Sequence, residues 1–154
     1  DLHLSIRRQR QMCISDRRGA IVATIEQAGY ALRVVATHLG LRARERRVQA
    51  EQLATWLAAR EPEHATVLLG DVNEWRPRAA TLRILERQLG RAPGPATFPT
   101  RRPLFALDRV FARPGPSLDS VRVHRSALAR RASDHLPVVA CVNLGSLREI
   151  PPTR

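Results

Sequence analysis

Between residues 20 and 69 the spacing of apolar residues changes twice, and this change constrains the fold more than any other feature of the chain. β-Branched and apolar residues run through 20–26 and 31–38, separated by the turn signal Gln27-Ala28-Gly29, which predicts two paired strands. From 42 to 60 the period becomes helical. Val48, Leu53, Trp56 and Leu57 recur with Arg and Glu between them, and Pro62 stops the pattern. Glu45, Arg46 and Arg47 are then expected on the solvated face of an amphipathic helix, and Trp56 in the core. Residues 66–69 form a short continuous apolar run closed by Gly70, as a buried strand would.

Further along, residues 81–89 suit a second helix, while 104–111, 121–123 and 136–142 read as strands. Between them, residues 90–103 hold four prolines and few apolar side chains, a loop too long to be a mere connector. The end, 150–154, reads as a frayed tail. Strands interleaved with two helices give an α/β or α+β class, with helices on one face of a mixed sheet. The 154 residues amount to one domain, and no apolar run approaches the ~18 residues of a membrane span, so no transmembrane segment is expected. No signal-peptide pattern is visible either.

All 26 basic residues are Arg, against 14 acidic ones, for a net charge of +12. With Ala, Pro and Leu also abundant, this resembles a codon bias, but a positive field attracts polyanions whatever its origin. Cys13 and Cys141 lie far apart in no metal-type pattern, so both are read as free buried thiols, with a lean toward a reducing, cytoplasmic compartment.

Polar residues cluster at the ends of the predicted strands in four segments. In Thr37-His38-Leu39 a histidine closes an apolar strand, which alone suits a satisfied core or surface histidine as well as a functional one. In Gly70-Asp71-Val72-Asn73-Glu74, alternation sends Asp71 and Asn73 to one side if the strand continues; otherwise the pair marks a turn. Leu107-Asp108-Arg109-Val110-Phe111 puts a charged pair inside a strand pattern. Asp108 therefore needs a partner, either a histidine or an arginine such as Arg109. Ser133-Asp134-His135-Leu136-Pro137 opens the last strand and is no Ser/His/Asp triad, because three consecutive residues cannot line up those roles.

Taken in order, T-H-L, L-L-G-D-x-N, L-D-R-x-F and S-D-H-L-P-V resemble the endonuclease/exonuclease/phosphatase superfamily, the deoxyribonuclease-I-like phosphoesterases. The resemblance spans 18–142, with Arg18-Gly19-Ala20 and Thr97-Phe98-Pro99 resembling bacterial members. It implies a four-layer α/β sandwich and hydrolysis of a phosphodiester or phosphomonoester by metal-assisted attack of water. By the same resemblance His135 takes up a proton or contacts the phosphate, Asp108 holds its tautomer, and His38 is a second acid or phosphate contact. Asp71 and Asn73 orient the nucleophile and the phosphate, and Asp134 is a ligand of Mg²⁺, or of Mn²⁺ in its place. Arg101 and Arg102, in the Pro-rich loop, are candidates for binding substrate phosphate, whether of a nucleic acid or of an anionic phospholipid headgroup.

The family's first half supplies an Asn on a strand and a Glu that is the principal metal ligand, and neither has a counterpart here. The chain is therefore expected to be the C-terminal portion of such a protein. Residues 1–17 would be a remnant of the first half, 18–145 the domain and 146–154 a tail, with the missing half completing the site. Two alternatives stay open: a catalytically incomplete fragment, and a basic non-catalytic nucleic-acid-binding module. His3, His64 and His124 match no motif and are read as surface residues; Trp75 is read as a packing residue that could also line the cleft.

Overall fold

A computed structural model describes residues 3–9, 18–27, 30–60, 65–113 and 118–143. Strand β1 (His3–Gln9) precedes β2 (Ala20–Gln27) and β3 (Tyr30–His38); helix α1 (Ala43–Ala58) leads to β4 (Ala65–Asp71), and α2 (Ala80–Leu89) to β5 (Asp108–Arg113). Then come β6 (Leu118–Val123), the short α3 (Ala129–Ala132) and β7 (Val138–Val142). Cys13, His64 and the tail 150–154 lie outside the described residues.

Five strands form a mixed sheet in the order β1-β2-β3-β4-β5, and β6 and β7 pair in a second, two-stranded sheet. The β3–β4 pair is parallel, which requires the crossover that α1 provides; the other pairs are antiparallel. The α/β class, the mixed sheet and the flanking helices follow the sequence reading, whereas neither β1 nor α3 was legible in it.

Alternation along the strands sorts side chains between two layers. Val35, Leu68 and Phe111 face α1 and α2 and are fully buried with Leu53, Leu57 and Leu85. Val67, Val110 and Ala112 face the opposite way, toward Val138, Ala140 and Val142 of β7. Helix α2 presents Leu82, Leu85 and Leu89 at helical spacing to the first layer. Helix α1 departs from the predicted face. Its buried stripe is Arg46, Gln49, Ala50, Leu53 and Leu57, while Val48 is exposed.

Other corrections are local. The strand predicted from 104 begins only at Asp108, because Phe105 pairs instead with Phe98 in an isolated bridge. The strand predicted from 136 begins after Pro137, which lacks the N–H a ladder needs. Cys141 is exposed rather than buried, since alternation in β7 turns Val138, Ala140 and Val142 inward and Cys141 outward.

Candidate active site

Register assembles the first part of the site. In the parallel β3–β4 pair His38 stands opposite Asp71, and in the antiparallel β4–β5 pair Asp71 stands opposite Asp108. Three chemistry-bearing residues from segments up to 70 positions apart therefore sit side by side on neighbouring strands at one end of the sheet. By alternation they share the inner face, with Val67, Leu69 and Val110. Two carboxylates directly opposite each other repel unless cations or donors intervene.

The intervening group is His135, brought in by the segment between α3 and β7. Its Nδ1–H donates to Asp108 Oδ2 at 2.8 Å, and its Nε2 lies 3.9 Å from Asp71 Oδ2. On the other flank His38 Nε2 is 3.4 Å from the same Asp71 oxygen. Burial pulls His135 toward its neutral form, but the hydrogen bond to Asp108 and the charges of Asp108, Asp71 and Asp134 outweigh it. The pKa of His135 is raised above the ordinary histidine value. The separation of 3.9 Å exceeds a hydrogen bond, so Nε2 is available to a reacting group.

The Pro-rich loop fixes His135 from the other side. Thr97 Oγ1 donates to Asp108 Oδ2, the oxygen that also accepts from His135, and Phe98 lies against the imidazole with ring centroids 4.9 Å apart. Leu136 N donates to Thr97 O at 3.0 Å, and Thr100 N donates to Asp134 O at 2.8 Å. Thr100 Oγ1 adds a bond to Ser133 O at 2.8 Å. Loop 97–100 is thus a strap across 133–136. The Thr97-Phe98-Pro99 motif was visible in the sequence, but its role as a support for the Asp108–His135 pair was not.

Asp71 and Asn73 also come together, by a turn rather than by a continuing strand. Asn73 takes a left-handed φ of 51°, its N–H donates to Asp71 Oδ1 at 2.8 Å, and its amide donates to Leu39 O at 2.9 Å. Gly70 is required here. Its φ is 136°, and a Cβ would lie 1.8 Å from Thr37 O. The close approach of β4 to β3 that aligns Asp71 with His38 admits no side chain at this position.

Below this turn lies a pair that sequence patterning misassigned. Arg46, expected in solvent, is 6% exposed. It donates to Glu74 Oε2 at 2.9 Å and to the carbonyls of Gly40 and Leu41. Glu74 is itself 1% exposed and also accepts from Arg76, through N at 3.1 Å and Nε at 3.0 Å. Burial opposes its charge, but the bonds from Arg76 and Arg46 prevail and lower its pKa. This pair ties the loop after β3 to the loop after β4, so both segments that carry His38 and Asn73 hang from one buried ion pair.

The alternative partner for Asp108 falls away. Arg109 points to the other face of β5, donates to Ala92 O at 3.5 Å, and lies against Gly94, where a Cβ would meet its Nη1 at 1.9 Å. Burial lowers its pKa. Arg101, Arg102 and Asp134 are exposed on the rim. Trp75, read as a packing residue, is 54% exposed and meets Phe105. Trp56 is half-buried against the helical core with Arg60 over its ring, and His124 is exposed as expected. Asp71, Asn73 and Asp134 carry oxygens suited to a hard divalent cation. Among the described residues, however, no group of three or more His, Cys, Asp or Glu side chains is arranged to hold a metal ion, so they do not complete a cation site.

A mixed sheet carrying aligned His, Asp and Asp at its strand ends, with His135 of the segment before β7 set between the carboxylates, has the deoxyribonuclease-I-like fold. The chain belongs to the endonuclease/exonuclease/phosphatase family, whose model matches residues 4–135. It is 33% identical over 138 residues to the uncharacterised protein YbhP of Escherichia coli strain K12, covering 84% of this chain and 54% of that protein. The chain thus spans about half the length of the curated relatives it matches. Its fold is similar to that of D. rerio TDP2 complexed with a single-strand DNA product, with a TM-score of 0.69 and 15% identity over 92% of this chain and 68% of that one. It is also similar to a Staphylococcus aureus beta toxin mutant with bound magnesium ions, with a TM-score of 0.57 and 15% identity over 82% of this chain and 58% of that one.

Proposed function

We propose that this chain carries the proton-transfer half of a phosphodiester hydrolase, in which His135 is the general base. The observation that carries this reading is the His135 imidazole held by Asp108 through Nδ1, with Nε2 free and facing Asp71. With Nδ1–H committed to Asp108, the lone pair of Nε2 takes a proton from the attacking water. The raised pKa makes that uptake favourable, and the nearby carboxylates stabilise the imidazolium that forms. His38, half-exposed beside Asp71, faces the same space and donates to a phosphate oxygen. Asp71 and Asn73 orient the nucleophile and the phosphate between the two histidines.

A divalent cation, Mg²⁺ or Mn²⁺, belongs to this proposal, with ligands supplied beyond the described residues. A magnesium-bound fold relative supports it, and Asp134 and Asp71 are this chain's contributions. The test is hydrolysis of a chromogenic phosphodiester with Mg²⁺ and with a chelator, beside His135→Ala. Turnover that needs both the metal and the imidazole is expected, with a loss of about 10²- to 10⁴-fold in the variant. Metal-dependent turnover that survives His135→Ala unchanged removes the assignment.

A further inference from the structure

The loop that follows Asn73 separates two surfaces that the proposed chemistry does not use. On one side Trp75, 54% exposed, meets Phe105, 38% exposed, with ring centroids 5.6 Å apart and planes tilted by 58°. Phe105 pairs with Phe98 of the strap, which itself lies against His135, so this aromatic ledge adjoins the catalytic cluster. On the other side the starts of α1 and α2 enclose a groove of about 900 Å³ lined by Arg44, Arg47, Arg76 and Arg78. The acid in this groove, Glu74, is buried and already engaged by Arg46 and Arg76, and Arg47 pairs with Glu51. Arg44 and Arg78 are exposed and have no ion-pair partner among the described residues. The N-terminus of α2 borders the same groove with no side-chain cap and no acid in its first turn, which adds unsatisfied N–H groups to the guanidinium charge.

We infer that loop 74–78 seats a single-stranded nucleic acid, with a base against the Trp75–Phe105 ledge and the neighbouring backbone phosphates in the arginine groove. This rests on the phosphodiester reading above and names its substrate class. A base offers a planar face to an exposed aromatic ring only when it is unstacked from a partner strand, and stacking of this kind tolerates any sequence. The arginines lie in a concavity. A flat bilayer surface cannot enter it, whereas a flexible chain of phosphates can. Arg76 donates to Glu74 through Nε at 3.0 Å and Nη2 at 3.3 Å, which fixes its guanidinium at the groove and leaves Nη1 for a phosphate.

The test is fluorescence anisotropy of the 154-residue chain with a short labelled single-stranded oligonucleotide, in chelator so that nothing is turned over. Arg44→Ala with Arg78→Ala should weaken binding and flatten the dependence of log K on log salt by about 1.4, two contacts at about 0.7 each. Trp75→Ala should weaken binding about tenfold while leaving that slope unchanged. An abasic oligonucleotide of equal length should bind wild type and Trp75→Ala alike. Unchanged affinity in both variants overturns the inference, as does tighter binding of phosphatidylglycerol vesicles than of the oligonucleotide through the same residues. Because the readout is binding in chelator, the outcome is independent of turnover, and metal-dependent hydrolysis that survives His135→Ala would remove the catalytic assignment while leaving this one standing.

Discussion

On its helical face the five-stranded sheet buries Val35, Leu68 and Phe111 completely beneath α1 and α2. One residue away on the same strands, Val34 and Leu69 on the opposite face remain half-buried around a cavity of about 500 Å³ that also reaches Asp108 and His135. The two-stranded β6–β7 sheet covers that inner face only in part. The contrast explains where the chemistry sits. A sealed apolar layer would charge several kcal/mol for each carboxylate, whereas the half-covered face lets Asp71, Asp108 and His135 pair with one another and still meet solvent.

The largest effect on this contrast is expected at the buried Arg46–Glu74 pair, which holds the loops that carry His38 and Asn73. Glu74→Gln keeps the shape but leaves Arg46 buried without its counter-charge, and a destabilisation of about 3–5 kcal/mol is expected by urea unfolding. A change of less than about 1 kcal/mol would mean that Arg46 is satisfied by the Gly40 and Leu41 carbonyls alone. Acid should also reveal Glu74. Its folded pKa is depressed, so its contribution is complete above the unfolded carboxylate value and is lost as pH falls through the folded one.

A matched pair of truncations sharpens the comparison further. Leu68→Ala, on the sealed face, should cost about 2–5 kcal/mol, and Leu69→Ala, beside the cavity, less than about 1 kcal/mol, because little new void forms where one already exists. Equal costs would show that the inner face is covered in solution, by a second copy or another segment.

The smallest effect concerns pH. The folded pKa of His135 is raised, so its stabilisation is complete below the unfolded value of about 6.5 and is lost as pH rises through the folded one. Asp108→Asn should flatten that dependence and shift the ascending limb of any pH–rate profile toward lower pH, since the ring then loses its proton more readily. A limb that does not move would detach Asp108 from the proton-transfer step.

Local patterning was sufficient for β2, β3, β4 and α2, because each is an uninterrupted run with one period, although β4 continues through the predicted stop at Gly70 to Asp71. It failed at α1's first turn, where Arg46 occupies a face that periodicity assigns to water, since the Glu74 that makes burial tolerable lies 28 residues away. It also failed at Trp75. Hydrophobicity alone predicts packing, but among the described residues that side chain stays 54% exposed, with Phe105 at its edge.

The candidate residues His38, Asp71, Asn73, Asp108 and His135 were legible as an ordered set of polar breaks at strand ends, and so was the need of Asp108 for a partner. Which partner it takes was a tertiary decision. Arg109 is adjacent in sequence, but strand alternation sends it to the opposite face, while His135, 27 residues on, arrives through the second sheet and the Thr97 strap. Alternation and period are properties of neighbours along the chain and survive in the sequence. Register between strands and the closure of one sheet on another depend on contacts between distant segments, and only the folded chain brings those together.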